Sequence, residues 1–194
     1  MTTATSSAIS DYNTFVQTQA GGATYNGSIV TWKAIGSTAT VDARDNVGGF
    51  GTTVGVYLPG GTLLASSLTT NSGGLWSAAL FSAPNQLING TVSTGTTWTG
   101  SNPSGVATSL PLGATAGSSS WADRSRSDNG WILINPFSST NSYGMYGLSD
   151  ELTASSPVVP EIDPAGMGSV LALVTGVLSL VERRRHARVG ARDC

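Results

Sequence analysis

Thr53-Val54-Gly55-Val56-Tyr57-Leu58-Pro59-Gly60-Gly61-Thr62-Leu63-Leu64-Ala65 reads as two strands and the turn that joins them. Residues 53–58 alternate in polarity, the period of a half-buried strand. Pro59 presets its own φ, and Gly60 accepts the positive φ that the second central position of a type II turn requires. The chain then returns through Thr62 to Ala65. Working outward, Ile29 to Ile35, Leu75 to Phe81, Leu87 to Val92, Thr96 to Thr99, Trp131 to Ile134 and Tyr143 to Leu148 read as further short strands. Ser101-Asn102-Pro103-Ser104-Gly105 and Gly113 to Ser120 read as loops. Only Ile9, Tyr12, Phe15, Val16 and Gln19 follow helical spacing, ended by Gly21-Gly22.

Charged residues make up 10% of the chain, against about 25% in an average soluble protein. Gly, Ser and Thr take their place, the composition of an exported β-rich domain with many turns. Composition alone points to an all-β sandwich. The charge is divided unevenly: residues 1–164 carry net −5 and residues 165–194 net +3. No basic patch lies outside that end, so nucleic-acid binding has no electrostatic footprint. The one cysteine, Cys194, is the last residue, which excludes an internal disulfide framework. The five tryptophans, Trp32, Trp76, Trp98, Trp121 and Trp131, are scattered along the domain and read as core anchors more readily than as a sugar-binding platform.

The C-terminal end is of a different kind. Val159-Pro160-Glu161-Ile162-Asp163-Pro164 precedes 17 residues, Ala165 to Val181, without a charge, and Glu182-Arg183-Arg184-Arg185-His186-Ala187-Arg188 follows. Roughly 17 apolar residues is the short limit for crossing a hydrocarbon core. Asp163 and Pro164 mark a helix start. Arg183, Arg184, Arg185 and Arg188 would hold the C-terminus in the cytoplasm. The competing reading is a buried core helix with a solvated basic end. The organisation expected is a segment 1–22 with a short helix, a β-rich domain over 23–152, a linker over 153–164, a transmembrane helix over 165–181 and a basic tail over 182–194. Met1 to Ser6 has neither a basic start nor an apolar run, so a signal peptide is expected upstream of Met1.

Pro160-Glu161, the hydrophobic helix and the arginine cluster together resemble the PEP-CTERM sorting signal of bacterial surface proteins. Ile162 stands where that family has its second proline. The resemblance implies recognition at Pro160 and Glu161 by an exosortase-like processing enzyme, and temporary retention in the inner membrane. A second resemblance spans Trp32 to Leu148. It rests on the order of Trp32-Lys33-Ala34, Thr40 to Asp45, Val56 to Thr62, Trp98-Thr99-Gly100-Ser101, Asp128-Asn129-Gly130-Trp131 and Tyr143 to Leu148. That order is similar to an endostatin-like, C-type-lectin-like domain, and it implies an α+β fold with short mixed strands and one or two helices.

Catalytic chemistry finds little footing. His186, in the tail, is the only histidine, so no Ser-His or His-metal arrangement can form in the β-rich domain. Asp42 and Asp45 around Arg44, and Asp123 and Asp128 around Arg124 and Arg126, read as local ion pairs or turn caps. Asp123, Asp128 and Asn129 are the candidate ion ligands, although lectin-type calcium triplets are absent and no cofactor is implied. The expectation is a non-enzymatic, exported cell-envelope protein with a structural or adhesive ectodomain. Its rivals are a surface polysaccharide-binding module using Trp98 or Trp121, and a carboxylate-only glycosidase.

Overall fold

A computed structural model describes residues 1–153, and the chain divides into two units after Ala154. Helix α1 (Ile9–Gln19) leads into β1 (Thr24–Tyr25), β2 (Ser28–Ile29) and β3 (Trp32–Ala34). Helix α2 (Ala43–Val47), β4 (Val56–Tyr57), β5 (Leu63–Ala65) and β6 (Thr96–Trp98) follow. After β7 (Ser118–Asp123) come a single 3-10 turn at Asn129–Trp131, then β8 (Pro136–Ser138), β9 (Gly144–Met145) and β10 (Gly147–Ser149). The domain is β-rich with few helices. Its strands form four small sheets, β1-β2, β10-β3, β4-β5 and the four-stranded β8-β7-β6-β9, instead of the two large facing sheets of a sandwich.

The β4–β5 hairpin forms where the sequence places it, with Val56 opposite Ala65 and Tyr57 opposite Leu63. Its turn differs from the type II expected. The positive φ falls at Gly61 (83°), not at Gly60, and the Leu58 N–H donates to the Thr62 carbonyl at 2.9 Å. This is the longer hairpin turn closed by a left-handed glycine, and a separate irregularity in register lies farther along the strands, between Val56 and Tyr57.

Helix α1 matches its expected span. Asp11 in the first turn complements the helix dipole, and Gly21 and Gly22 end the helix with φ of 61° and 73°. The buried face carries Tyr12 and Val16. Along the same helix, Asn13 and Gln17 sit four residues apart and meet the free edge of β3. The Trp32 N–H donates to Gln17 Oε1 at 2.7 Å and the Ala34 N–H to Asn13 Oδ1 at 2.8 Å. Gln17 Nε2 donates to the Val30 carbonyl, and Asn46 Nδ2 donates to the Ala34 carbonyl. On the opposite edge, β3 pairs with β10. Side-chain amides thus stand in for a missing neighbour strand and close an edge that would otherwise invite another chain. Asn13→Ala is expected to cost about 1–3 kcal/mol, because it strands the Ala34 N–H and part of the Asn46 amide. Urea unfolding checks this, and a loss below about 0.5 kcal/mol would show that water replaces the amide.

Two apolar clusters fill the interior. The first gathers Ile35, Val56, Leu64, Leu75, Trp76, Leu80, Trp131, Ile132 and Tyr146. The second gathers Ala4, Tyr12, Val16, Ala34, Trp98 and Leu112. Three expected strands are absent: 75–81 is a set of turns, 87–92 is a tight loop closed by a Gln86–Val92 bridge, and 131–134 begins on the last residue of the 3-10 turn and continues without a strand. Leu75, Trp76, Trp131 and Ile132 are fully buried from irregular backbone. One expected loop is a strand: β7 begins at Ser118, inside 113–120. Its serines can be buried because their hydroxyls are satisfied, Ser119 by the Pro111 carbonyl at 2.9 Å and Ser120 by Thr108 Oγ1 at 2.9 Å.

Burial pushes the Tyr12 hydroxyl up to about 12 and raises that of Tyr146 as well. Both are protonated in the fold at pH 10, where the unfolded chain begins to ionise. The contribution is whole below pH 10 and is lost as pH rises through 12, so the denaturation midpoint should fall over that window. A midpoint unchanged between pH 9 and pH 12 would contradict it.

Candidate functional site

The charged segment Asp123 to Asn129 joins β7 to the 3-10 turn. Asp123 Oδ1 accepts from the Ser125 hydroxyl at 2.7 Å and the Ser125 N–H at 2.8 Å, and these bonds hold its carboxyl below the usual range. Arg126 forks onto Asp128, Nε to Oδ1 at 2.7 Å and the second nitrogen to Oδ2. Asp128 Oδ1 also caps the 3-10 turn by accepting from the Gly130 N–H at 3.0 Å. The Arg126 guanidinium first, then that N–H, holds the Asp128 carboxyl down to about 2. Arg124 reaches back to the Gly95 carbonyl and the Ser93 hydroxyl.

Asp123, Arg126 and Asp128 close the loop on itself, and Arg124 ties it to residues 93–95. The ion-pair and turn-cap reading describes the geometry, and an ion at Asp123, Asp128 and Asn129 would have to displace Arg126. No group of three or more His, Cys, Asp or Glu side chains that could hold a metal occurs among the described residues. A glycosidase acid needs a raised carboxyl, and both aspartates here are shifted the other way.

The Asp42–Asp45 segment builds α2. Asp42 stands at its N-terminus but turns its carboxylate to the Ala107 N–H at 2.8 Å, tying α2 to a distant loop. Arg44 lies 3.9 Å from Asp45 and stacks over the Phe50 ring at 4.8 Å. This helix was not expected from the sequence, since its five residues are too short to show a period.

The tryptophans separate into two groups. Trp76, Trp98 and Trp131 are fully buried. Trp98 donates its indole N–H to the Asn141 carbonyl and packs on Tyr143 at 4.9 Å. It therefore cannot touch a polysaccharide, which corrects its place among the candidate sugar-binding residues. Trp121, directly opposite it on β7, is half-buried, and so is Trp32.

Pro160, Glu161, the 165–181 run, Arg183, Arg184, Arg185, His186 and Arg188 lie outside the described residues. Among those described, no helix is long and apolar enough to cross a membrane. Residues 150–153, however, run beside the β1–β2 ribbon. The Asp150 N–H donates to the Thr31 carbonyl at 3.0 Å, and Asn26 Nδ2 donates to the Thr153 carbonyl at 3.3 Å. Asn26 was missed as a positional residue; the signal was Asn26-Gly27 between two β-prone pairs, a favoured two-residue hairpin turn. No protein-family model matches this chain, and no curated protein sequence does.

Proposed function

We propose that the chain is an exported bacterial cell-envelope protein: a non-catalytic β-rich domain carried on a PEP-CTERM-like tail. An exosortase-like enzyme acting near Pro160-Glu161 removes that tail, and the domain then serves a structural or adhesive role at the surface. The observation that carries this reading is the order, over about 30 residues, of Pro160-Glu161, the uncharged run 165–181 and four arginines. Two features of the domain support it. Asp123, Arg126 and Asp128 are engaged within one loop, and Arg44 pairs with Asp45 beside it in α2. The domain holds together without cysteine, as an exported domain lacking disulfides must.

Within the same proposal the ectodomain is endostatin-like. In support, β3, which carries the first motif of that resemblance, pairs with β10 from the last. Trp98 and Trp131, from two further motifs, are fully buried.

The test is the intact mass of the protein taken from its native envelope. The mass expected lacks at least Ala165 to Cys194, leaving a chain of net charge −3 to −5 according to which bond between 160 and 165 is cut. A mass that still includes those residues would reduce the tail to a plain anchor and overturn the sorting reading.

A further inference from the structure

Three Asn-Gly pairs occur in the chain, Asn26-Gly27, Asn89-Gly90 and Asn129-Gly130. In such a pair the following amide nitrogen can attack the asparagine side chain, with little steric hindrance from glycine. The structure treats the three differently. The Gly90 N–H is committed to the Leu87 carbonyl at 2.8 Å, and Asn89 Oδ1 accepts from the Thr91 N–H at 3.0 Å. Gly130 is buried, and its N–H is committed to Asp128 Oδ1 at 3.0 Å. At the first pair both residues are exposed, and among the described residues the Gly27 N–H meets no acceptor.

Asn26 and Gly27 occupy the two central positions of the β1–β2 turn, with φ of 50° and 80°. A ribbon of two residues per strand, exposed on both faces, is barely stable by itself. It opens locally at little cost, which frees the Asn26 backbone to rotate into the attacking geometry.

We propose that Asn26 is a site of spontaneous deamidation that acts as a slow, one-way release of the 150–153 segment from the domain. The Gly27 nitrogen gives up its proton to solvent base and bonds to Asn26 Cγ. The Cγ–Nδ2 bond breaks and ammonia leaves. Water then opens the cyclic imide to aspartate or isoaspartate, so neither oxidant nor reductant enters. The product loses the Nδ2 donor that holds the Thr153 carbonyl. In its place stands a carboxylate in a groove already lined by Asp150 and Glu151. Repulsion from the two acids that line the same groove weakens the hold on the segment. This inference does not depend on how the tail is processed, since it concerns only residues 1–153.

The experiment incubates the purified full chain at mildly alkaline pH and follows acid formation by tryptic mapping. Lys33, Arg44, Arg124, Arg126 and Arg183 place the three pairs on separate peptides, 1–33, 45–124 and 127–183. Peptide 1–33 should convert about tenfold faster than either other peptide in the folded protein, and all three should converge in urea. Equal native rates, or a faster 45–124 or 127–183, would overturn the site. Asn26→Asp should speed hydrogen exchange at the Asp150 amide about tenfold. Unchanged exchange there would overturn the release.

Discussion

Trp98→Ala and Trp131→Ala are each expected to remove about 3–5 kcal/mol from a domain whose whole stability should lie near 5–15 kcal/mol. Both side chains are fully buried, one in each apolar cluster, so either truncation opens a void that irregular neighbouring backbone cannot easily fill. The two should respond differently to phenylalanine. Trp98→Phe also gives up the bond to the Asn141 carbonyl. Among the described residues the Trp131 indole N–H has no partner, so Trp131→Phe loses volume but no hydrogen bond seen there and should be the milder change. Trp32→Ala, at a half-buried site, should cost roughly half of either full truncation, in proportion to the area removed from water. Urea unfolding followed by tryptophan fluorescence ranks the variants. Equal small losses at Trp98 and Trp131 would mean that neither is a core anchor.

How much of this was legible follows from where the order comes from. Helix α1 and the hairpin 56–65 were readable because each is set by local pattern, apolar spacing in one case and Pro-Gly chemistry in the other. Composition and scatter pointed to tryptophans in the core as a group, but not to which of them are deepest: Trp32 and Trp121 are only half-buried. What was not readable is held by contacts distant in sequence. Leu75, Trp76, Trp131 and Ile132 look like strand residues but fill the core from turns, where Ser77 bonds the Gly74 carbonyl and Asp128 caps Gly130. Conversely, Ser118-Ser119-Ser120 looks like a loop and is a strand, because partners as far away as Thr108 and Pro111 satisfy its hydroxyls. The amides of Asn13 and Gln17 gave no sign that they would close a strand edge. Of the candidate sites, the Arg126–Asp128 pair was visible as adjacent opposite charge. The exclusion of Trp98 from the surface was not, since nothing local marks one tryptophan as deeper than another.

Gly100→Ala is expected to be among the more damaging single-methyl changes in the domain. Gly100 has φ of 59°, and a Cβ there would lie 2.5 Å from the Leu112 nitrogen and 2.6 Å from the Ser37 carbonyl oxygen. Those two atoms are hydrogen-bonded to each other at 2.8 Å, so the methyl would collide with both ends of that bond. Neither partner can yield cheaply. Leu112 is fully buried in the second cluster, and Ser37 is fully buried and bonded to Ser101 Oγ at 2.8 Å. Backbone displacement of this kind, added to the left-handed strain, should cost about 2–4 kcal/mol. Gly61→Ala is the control. Its φ of 83° imposes comparable strain, but nothing lies within 4 Å of the added carbon. That variant should lose only about 1 kcal/mol. The difference between the two, read from their urea midpoints at equal slope, isolates the collision from the conformational strain. If Gly100→Ala is no worse than Gly61→Ala, the Leu112–Ser37 bond is not what fixes the close approach of these segments.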